Sequence, residues 1–530
     1  MKKIILSIMA ILLLTQACIR DRGNYVYRDI NQLEFIGLEG LEGTIGITVT
    51  TPYNVEDALQ AITLIPRLAT SMDTEEDLVF SWLNDSAGTR VIIHQDRNLE
   101  NFIVPTRWNG ITTLIFRVRD TVSQKILDTR VYLNIVNPFR VGYLVLQEDA
   151  QGYVRLDMLS WLPGVGYRHM TDVLADKGFP RQQGPRQIGL FPDPVRAAAL
   201  GGVSIYIVTD EPDVYRIHST TFEWAGEQGH LRNAFLNQAH FPSNSRVDNI
   251  VTVGELHMAL INMEGSLFFQ AHGSARFFSV KLNRTADGRH FPASPHISAG
   301  SNQRFLIFDD ESKSFYTLAA IPDIWVREIA ARADSLVSFR NMNMDLVFSQ
   351  SAALPVGVIG ASGSQTLSYN ILKDANGDFW ILRIELGAME QQFWQKMDVA
   401  PGFNENSIIA VGGEFVDRQI YYAVGGNVYQ YNIHLNRSTR VLTLPGEVIT
   451  YMNFVGNTRH FGPTDGIIGF DGFRFIVIGS FNETTGVGTL THYRIPEGTG
   501  TWTIYRDNGT GQLHHWTDFG RIKDVVSRNR

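Results

Sequence analysis

The feature that most constrains this chain is a two-strand unit that recurs with variation from residue 142 to the end. Residues 142–158 (GYLVLQEDAQGYVRLDM) run apolar and β-branched, break at the polar stretch 148–152, and run back. The same pattern returns at 204–208 with 214–217 across 209–213, at 256–262 with 266–270 across 263–265, and at 304–308 with 314–318 across 309–313. It returns again at 369–372 with 379–384 across Asp374-Ala375-Asn376-Gly377, at 419–424 with 428–432 across Gly425-Gly426-Asn427, and at 473–478 with 490–495. Period-two alternation bounded by Asn-Gly and Gly-rich turns marks a β-hairpin. Hairpins repeated every 40 to 60 residues or so are how a β-propeller reads in sequence. At about 50 residues per blade, the stretch after Pro138 holds six to eight blades, with seven favoured.

Composition agrees. The chain has 31 Phe, 18 Tyr, 9 Trp and 47 Gly, a balance that favours strands and tight turns over helices. Upstream of the hairpins, short strand-like runs at 46–51, 78–83, 90–94, 114–118 and 131–136 suggest a β-sandwich of roughly 100 residues, with Trp82 as its core anchor. Asn137-Pro138-Phe139 reads as a boundary, because proline ends a strand and restricts the residue before it. The expected architecture is therefore all-β: a sandwich over 31–138 followed by a propeller over 139–530.

The first eighteen residues, MKKIILSIMAILLLTQAC, set the address. Lys2 and Lys3 precede an apolar run over 4–14 that is too short to span a bilayer core of about 30 Å. That is a secretory signal, and Ala17 before Cys18 makes it a lipoprotein signal. Residues 1–17 would be removed, Cys18 acylated, and 18–30 left as a polar tether. Cys18 is the single cysteine, so the sequence allows no intramolecular disulfide and no cysteine-based metal site or nucleophile. No second apolar run of bilayer length exists, and lipid alone would hold the chain to the membrane. A net charge of −8 argues against nucleic acid as a partner.

After Cys18, the stretch Asp21-Arg22-Gly23-Asn24-Tyr25-Val26-Tyr27 with Ile30-Asn31 resembles the start of the PKD-like family lipoproteins. The hairpin at 142–158 and Met342-Asn343-Met344-Asp345-Leu346-Val347 are similar to later segments of that family. Phe80-Ser81-Trp82 and Phe116-Arg117-Val118-Arg119-Asp120 resemble the Trp strand and late V-x-D strand end of a PKD (immunoglobulin-like) domain, whose W-D-F-G-D-G core is absent. The resemblance implies an accessory lipoprotein of a starch-utilisation-type glycan or nutrient uptake system, beside an outer-membrane porin and its binding lipoprotein. It implies outer-membrane attachment and leaves the periplasmic or cell-surface face open.

Catalytic patterns are missing. The sequence holds no HExxH, GxSxG or phosphate-loop motif. Carboxylates cluster at Glu75-Glu76-Asp77, Glu148-Asp149 and Asp309-Asp310-Glu311, all in expected turns where acids are simply solvated. Asp374-Ala375-Asn376-Gly377-Asp378 resembles half a calcium loop, but Phe379 stands where glycine is needed, and a hairpin turn explains it better. His514 and His515, adjacent on a strand, point to opposite faces and do not form a metal site. Residues 325–337 place Trp325, Ile329, Ala333 and Leu336 at helical spacing, which predicts a small helix packed on a blade. Trp161, Trp394 and Trp516 fall in apparent loops and are the candidate binding aromatics for a glycan or peptide. The sequence thus reads as a membrane-anchored, non-enzymatic binding lipoprotein without cofactor or metal. The alternatives are a propeller-type glycan hydrolase or lyase, and a structural or adhesion module.

Overall fold

The computed structural model describes residues 31–528 apart from 40, 43–45, 51–60, 72–74, 87–88, 105–109, 137–140, 163–165, 193–202, 220, 243, 254–257, 271–276, 278–279, 301–303, 320–324, 354–365, 413–418, 455–459, 462–474, 497–500 and 508–509. Cys18, the expected signal and the tether lie outside the described residues. The chain divides into two compact units, Met1–Asn137 and Pro138–Arg530.

In the first unit a five-stranded sheet runs in the order Gly46–Thr50, Ile126–Val136, Gly110–Asp120, Leu78–Ser86, Thr89–His94, with only the first pair parallel. A three-stranded sheet (Leu41–Glu42, Leu33–Leu38, Pro66–Thr70) and the pair Ala61–Leu64 with Leu99–Ile103 supply the facing layer. Alternation builds the core, since side chains two apart share a face. Trp82, Leu114, Phe116, Val118, Val131 and Leu133 meet Leu38, Ile62, Leu64 and Leu99 in one cluster. Trp82 packs its ring 5.0 Å from Phe116 and donates its indole N–H to the Arg97 carbonyl at 3.0 Å, so its one polar atom is satisfied.

Among the described residues the second unit is a succession of seven sheets, numbered I to VII, antiparallel except where His460–Phe461 pairs parallel with Arg521–Arg528. Sheet I holds Gly142–Glu148, Val154–Leu162 and Gly166–Met170; sheet II holds Pro185–Pro192, Val203–Thr209 and Tyr215–Ile217. Sheet III follows with Val247–Val253, Met258–Met263 and Ser266–Gln270, and sheet IV with Ser298–Ala299, Arg304–Asp309, Ser314–Ala319 and Arg327–Glu328. Sheet V comprises Asp345–Ala353, Thr366–Lys373, Phe379–Glu385 and Glu390–Lys396. Sheet VI comprises Ile408–Val411, Gln419–Val424, Asn427–Asn432 and Arg437–Thr443. Sheet VII begins with Val448–Phe454, Phe475–Asn482 and Val487–Arg494; Thr503–Ile504 and His515–Phe519 both pair with its third strand.

The last strand, Arg521–Arg528, returns to sheet I and pairs with Gly142–Glu148. It neighbours the first strands of sheets II and VII, so the leading strands form a closed ring. Side chains stitch that ring. Asp524 accepts from the Ile188 N–H at 2.7 Å, Gln187 from the Ile250 N–H at 2.9 Å, and Ser298 meets Ser349 at 2.7 Å. The Asn249 amide donates to the Pro295 carbonyl at 2.8 Å, and the Tyr451 hydroxyl to the Val525 carbonyl at 3.2 Å. Apolar clusters fill the space between successive sheets, such as Tyr206, Val208, Val247 and Ile261 between II and III. This is a β-propeller-like arrangement.

A local rule recurs in the hairpins. Asp149, Asp309, Asp374 and Asn482 each accept two backbone N–H groups of the turn that follows them. Asn262 caps its turn through the Gly265 N–H, and in sheet VI the cap moves to Asn432 one hairpin later. An Asx side chain replaces the backbone's own turn acceptor, which fixes where each strand ends. Asp374 therefore belongs to a hairpin turn, and its second oxygen accepts the Trp380 indole N–H at 3.1 Å.

The helix expected at 325–337 does not form. Among the described residues the helices are three short 3-10 turns, Glu227–Gly229, Leu231–Ala234 and Gln238–His240. Val326 is anchored in the core between sheets III and IV, and Ile329 in the core between IV and V. Two anchors in different cores pull the segment across a sheet, whereas a helix offers one buried stripe. Ala333 and Leu336, two positions of the helical pattern, are exposed.

Candidate functional site

The site is built from a tight turn and the outer half of sheet IV. Thr285-Ala286-Asp287-Gly288-Arg289 folds back on itself through Thr285 N–H to the Arg289 carbonyl and Gly288 N–H to the Thr285 carbonyl, both at 2.9 Å. Gly288 takes a φ of 90°, which other residues adopt only with strain. The Thr285 hydroxyl donates to the Asp287 carboxylate, and that bond holds Asp287 below the usual carboxylate range. The turn aims Arg289 at the sheet.

Arg289 is fixed in place. One Nη2 donates to Asp309 at 2.8 Å and to the Tyr316 hydroxyl at 3.3 Å, while Nη1 lies 3.6 Å from Glu311. Asp309 is fully buried, which opposes its ionisation. Hydrogen bonds from Ser312, Arg289 and two backbone N–H groups outweigh burial and keep it ionised below the usual range. The pair is therefore a fixed guanidinium with geometry imposed from behind. Tyr316 stacks on Phe291 with centroids 5.2 Å apart, and Glu328 lies opposite it in the strand register, held by Arg340.

Between these groups opens a cleft of about 450 Å³ lined by Asp287, Arg289, Tyr316, Trp325, Arg327 and Glu328 among others. Trp325 is 38% exposed, and beside it Val326 is buried. The cleft thus offers an aromatic ring, two guanidinium groups as donors and two carboxylates as acceptors. Balanced charge with a flat apolar ring suits a neutral polyhydroxyl ligand better than a strongly charged one. Among the described residues no three His, Cys, Asp or Glu side chains come together as a metal site.

The aromatics proposed from sequence lie elsewhere, and all three are on strands rather than loops. Trp161, in Val154–Leu162, is half-buried against the cluster that joins sheets VII and I. Trp516, in His515–Phe519, belongs to that same cluster and is only 8% exposed. Its neighbours are Tyr167, His492 and His514, with ring centroids 5.1 to 5.4 Å away. Trp394, in Glu390–Lys396, stacks on Trp380 at 5.0 Å and 17° and packs on the core between IV and V. The structure brings Trp161 and Trp516 into one cluster, and none of the three lines the cleft.

His514 and His515 do face opposite ways. His515 reaches the Thr491 hydroxyl at 2.9 Å, whereas His514 is buried against His492, Nδ1 to Nδ1 at 3.0 Å. Burial pushes His514 down to about 4 and His492 well below its ordinary value, so both rings are neutral and one Nδ1–H donates to the other. Sequence reasoning assigned Trp325 to a helix packed on a blade and did not single out Arg289 or Tyr316. The usable signal was Asp287-Gly288, a strong turn dipeptide placed before sheet IV.

No protein-family model and no curated protein matches this chain. Among solved structures it is similar to a quinonprotein alcohol dehydrogenase-like protein from Bacteroides thetaiotaomicron, at TM-score 0.41 and 11% identity over 94% of this chain and 100% of that one. It is also similar to the dihydro-heme d1 dehydrogenase NirN, at TM-score 0.35 and 10% identity over 73% and 75% of the two chains. A third is a putative TolB from Agrobacterium tumefaciens, at TM-score 0.31 and 10% identity over 55% and 91%. At these values the likeness says nothing of what this chain binds.

Proposed function

We propose that this protein is a lipid-anchored, non-enzymatic binding module of a glycan or nutrient uptake system. Cys18 carries the lipid in the outer membrane, and the first unit is a PKD-like sandwich that serves as a spacer. The seven sheets are the blades of a propeller whose fourth blade holds the ligand. The observation that carries this reading is the cleft around Trp325, where an exposed indole stands among the fixed Arg289 guanidinium and the Asp287 and Glu328 carboxylates. A sugar ring can stack on the indole while its hydroxyls bridge the charged groups. An outer-membrane porin and its binding lipoprotein are the partners of the complex.

The test is calorimetric titration of the mature chain with neutral oligosaccharides of several linkages, with product analysis of the same mixtures. Binding without turnover is expected, and Trp325→Ala should weaken it about tenfold, the loss of roughly 1.4 kcal/mol of stacking. Affinity unchanged in Trp325→Ala would remove the cleft from the reading. Released sugars would replace it with the hydrolase alternative. Pull-down of the lipidated protein from solubilised membranes tests the complex, and failure to recover a porin would sink that part.

A further inference from the structure

We infer that the junction of sheets V and VI binds a small monovalent anion, of the chloride class, on the Arg383 guanidinium. Arg383 lies in Phe379–Glu385, the third strand of sheet V. Tyr369 and Phe393 stand directly beside it on the flanking strands, and residues so opposed share a face. Tyr369, Phe393 and Ile381, two residues back, all pack in the core between V and VI, so Arg383 projects toward that core as well. Leu382 and Ile384 take the other face, in the core between IV and V.

Arg383 is 7% exposed, its Nε is buried without a partner, and no carboxylate pairs with it among the described residues. Its surroundings explain why. Sheet VI turns Val411, Ile420, Tyr422 and Tyr431 toward it, side chains that carry no charge. Glu385, on its own strand face, spends its two oxygens on the Gly387 and Ala388 N–H groups at 2.8 and 2.6 Å. Gln350, which heads the same cross-strand row, donates to Asn453 at 3.1 Å and accepts from the Val411 N–H at 3.3 Å.

A buried lysine or histidine can shed its charge, but a guanidinium keeps its proton at every physiological pH. A buried charge with no counter-charge is costly. Elsewhere this chain meets that cost with an acid of its own, Asp157 on Arg155 at 2.7 Å and Asp309 on Arg289 at 2.8 Å. At Arg383 the counter-charge comes from solution. It carries one charge, since a second would leave the core charged again. It is small, since protein already covers more than nine-tenths of the side chain. Sulfate fails on charge, and the carboxylate of a polymeric ligand fails on access. The anion neutralises a junction whose Tyr422 and Tyr431 hydroxyls already have partners.

The experiment melts the mature chain, with Cys18→Ser to keep it free of lipid, while chloride replaces gluconate at constant ionic strength. Gluconate is too large to enter the junction. The melting temperature should rise by about 2 °C for each tenfold of chloride above half-saturation, and bromide should act as chloride does. Arg383→Met removes the charge, roughly keeps the volume, and should abolish the dependence. If that variant does not fold, crystals of the unsubstituted chain soaked in bromide decide, with an anomalous peak expected at the guanidinium. A melting temperature indifferent to the anion, a dependence kept in Arg383→Met, or no bromide at Arg383 would each overturn the proposal.

Discussion

The junction of sheets VII and I differs from the junction of V and VI in how it treats its polar atoms. Between V and VI the aromatic hydroxyls are used: Tyr422 accepts the Ala400 N–H at 2.7 Å, and Tyr431 donates to Asn436 at 2.8 Å. Around them Ile371, Ile381, Phe403 and Ile420 make an apolar core. Between VII and I, Tyr143, Tyr167, His492, His514 and Trp516 crowd ring against ring, yet His492 Nε2, His514 Nε2 and Trp516 Nε1 are buried with no partner among the described residues. Both junctions bury large aromatics, but only one satisfies them. The unsatisfied junction is also where the two ends of the unit meet, so of these two the less secure packing sits at the closure.

The largest expected effect tests the closure itself. Backbones approach closely there: a Cβ added to Gly520 would lie 2.1 Å from the Glu148 carbonyl oxygen, and one on Gly488 would lie 1.9 Å from the Gly520 carbonyl oxygen. Neither contact is relieved by a side-chain rotation. Gly520→Ala should cost at least about 3 kcal/mol, or prevent the last strand from docking on Gly142–Glu148. Hydrogen exchange of the Gly142–Glu148 amides reads this directly. Wild-type protection in the variant would mean that the close approach is not what fixes the seam.

Acid should separate the two junctions next. His492 and His514 stay neutral when folded, His514 with its value near 4, while an unfolded chain takes up protons near 6.5. Below that value the unfolded state binds more protons than the native state, so stability falls as pH drops from about 6.5 toward 4 and is unaffected above. Asp507 opposes this by favouring the protonated form of His514, but burial outweighs it. The two rings together account for a slope of up to about 2.7 kcal/mol per pH unit. Denaturant titrations between pH 7 and 4.5 should show this slope shrinking in His492→Gln/His514→Gln. An equal slope in that variant would place the acid sensitivity elsewhere.

The satisfied junction gives a smaller, pH-independent effect. Tyr422→Phe removes the acceptor of the buried Ala400 N–H and should cost about 1–2 kcal/mol at any pH between 5 and 8. A loss that varied over that range would show that the two junctions are not chemically distinct.

These differences were only partly legible in the sequence. Hairpins were readable because their information is local. Asp374-Ala375-Asn376-Gly377 sets its own turn, and the strands at 369–372 and 379–384 fall within Thr366–Lys373 and Phe379–Glu385. The return of Arg521–Arg528 to Gly142–Glu148 was not, since no nearby residue signals a partner so distant in sequence. Trp325 misled for a related reason. Its spacing with Ile329 satisfies a helical period, but the segment's end state is set by cores in two different junctions. Trp394 and Trp516 sat among polar residues that resembled loops, because the outer strands they occupy are half-solvated and carry Gln, Lys, Thr and Asp. The Trp325 cleft needed the turn at 285–289 and the strand Ser314–Ala319 to meet, and only the fold brings them together.

The last effect runs opposite in sign to the histidine pair and lies beside the cleft. Burial raises Asp310 to about 6, partly offset by Lys313, with Asp309 and Asp345 adding to the rise. The native state therefore holds this proton up to about pH 6, whereas an unfolded aspartate releases it near 4. Stability contributed by the protonated form is present at low pH and is lost as pH rises through that window. Asp310→Asn keeps the neutral form at every pH, and should raise the melting temperature at pH 7 by a few degrees at most while leaving it unchanged at pH 4. Calorimetry at the two pH values decides. A gain of equal size at pH 4 would mean that the amide stabilises the turn by packing or hydrogen bonding. Asp310 would then not oppose the loss of stability that the histidines of the closing seam bring on acidification.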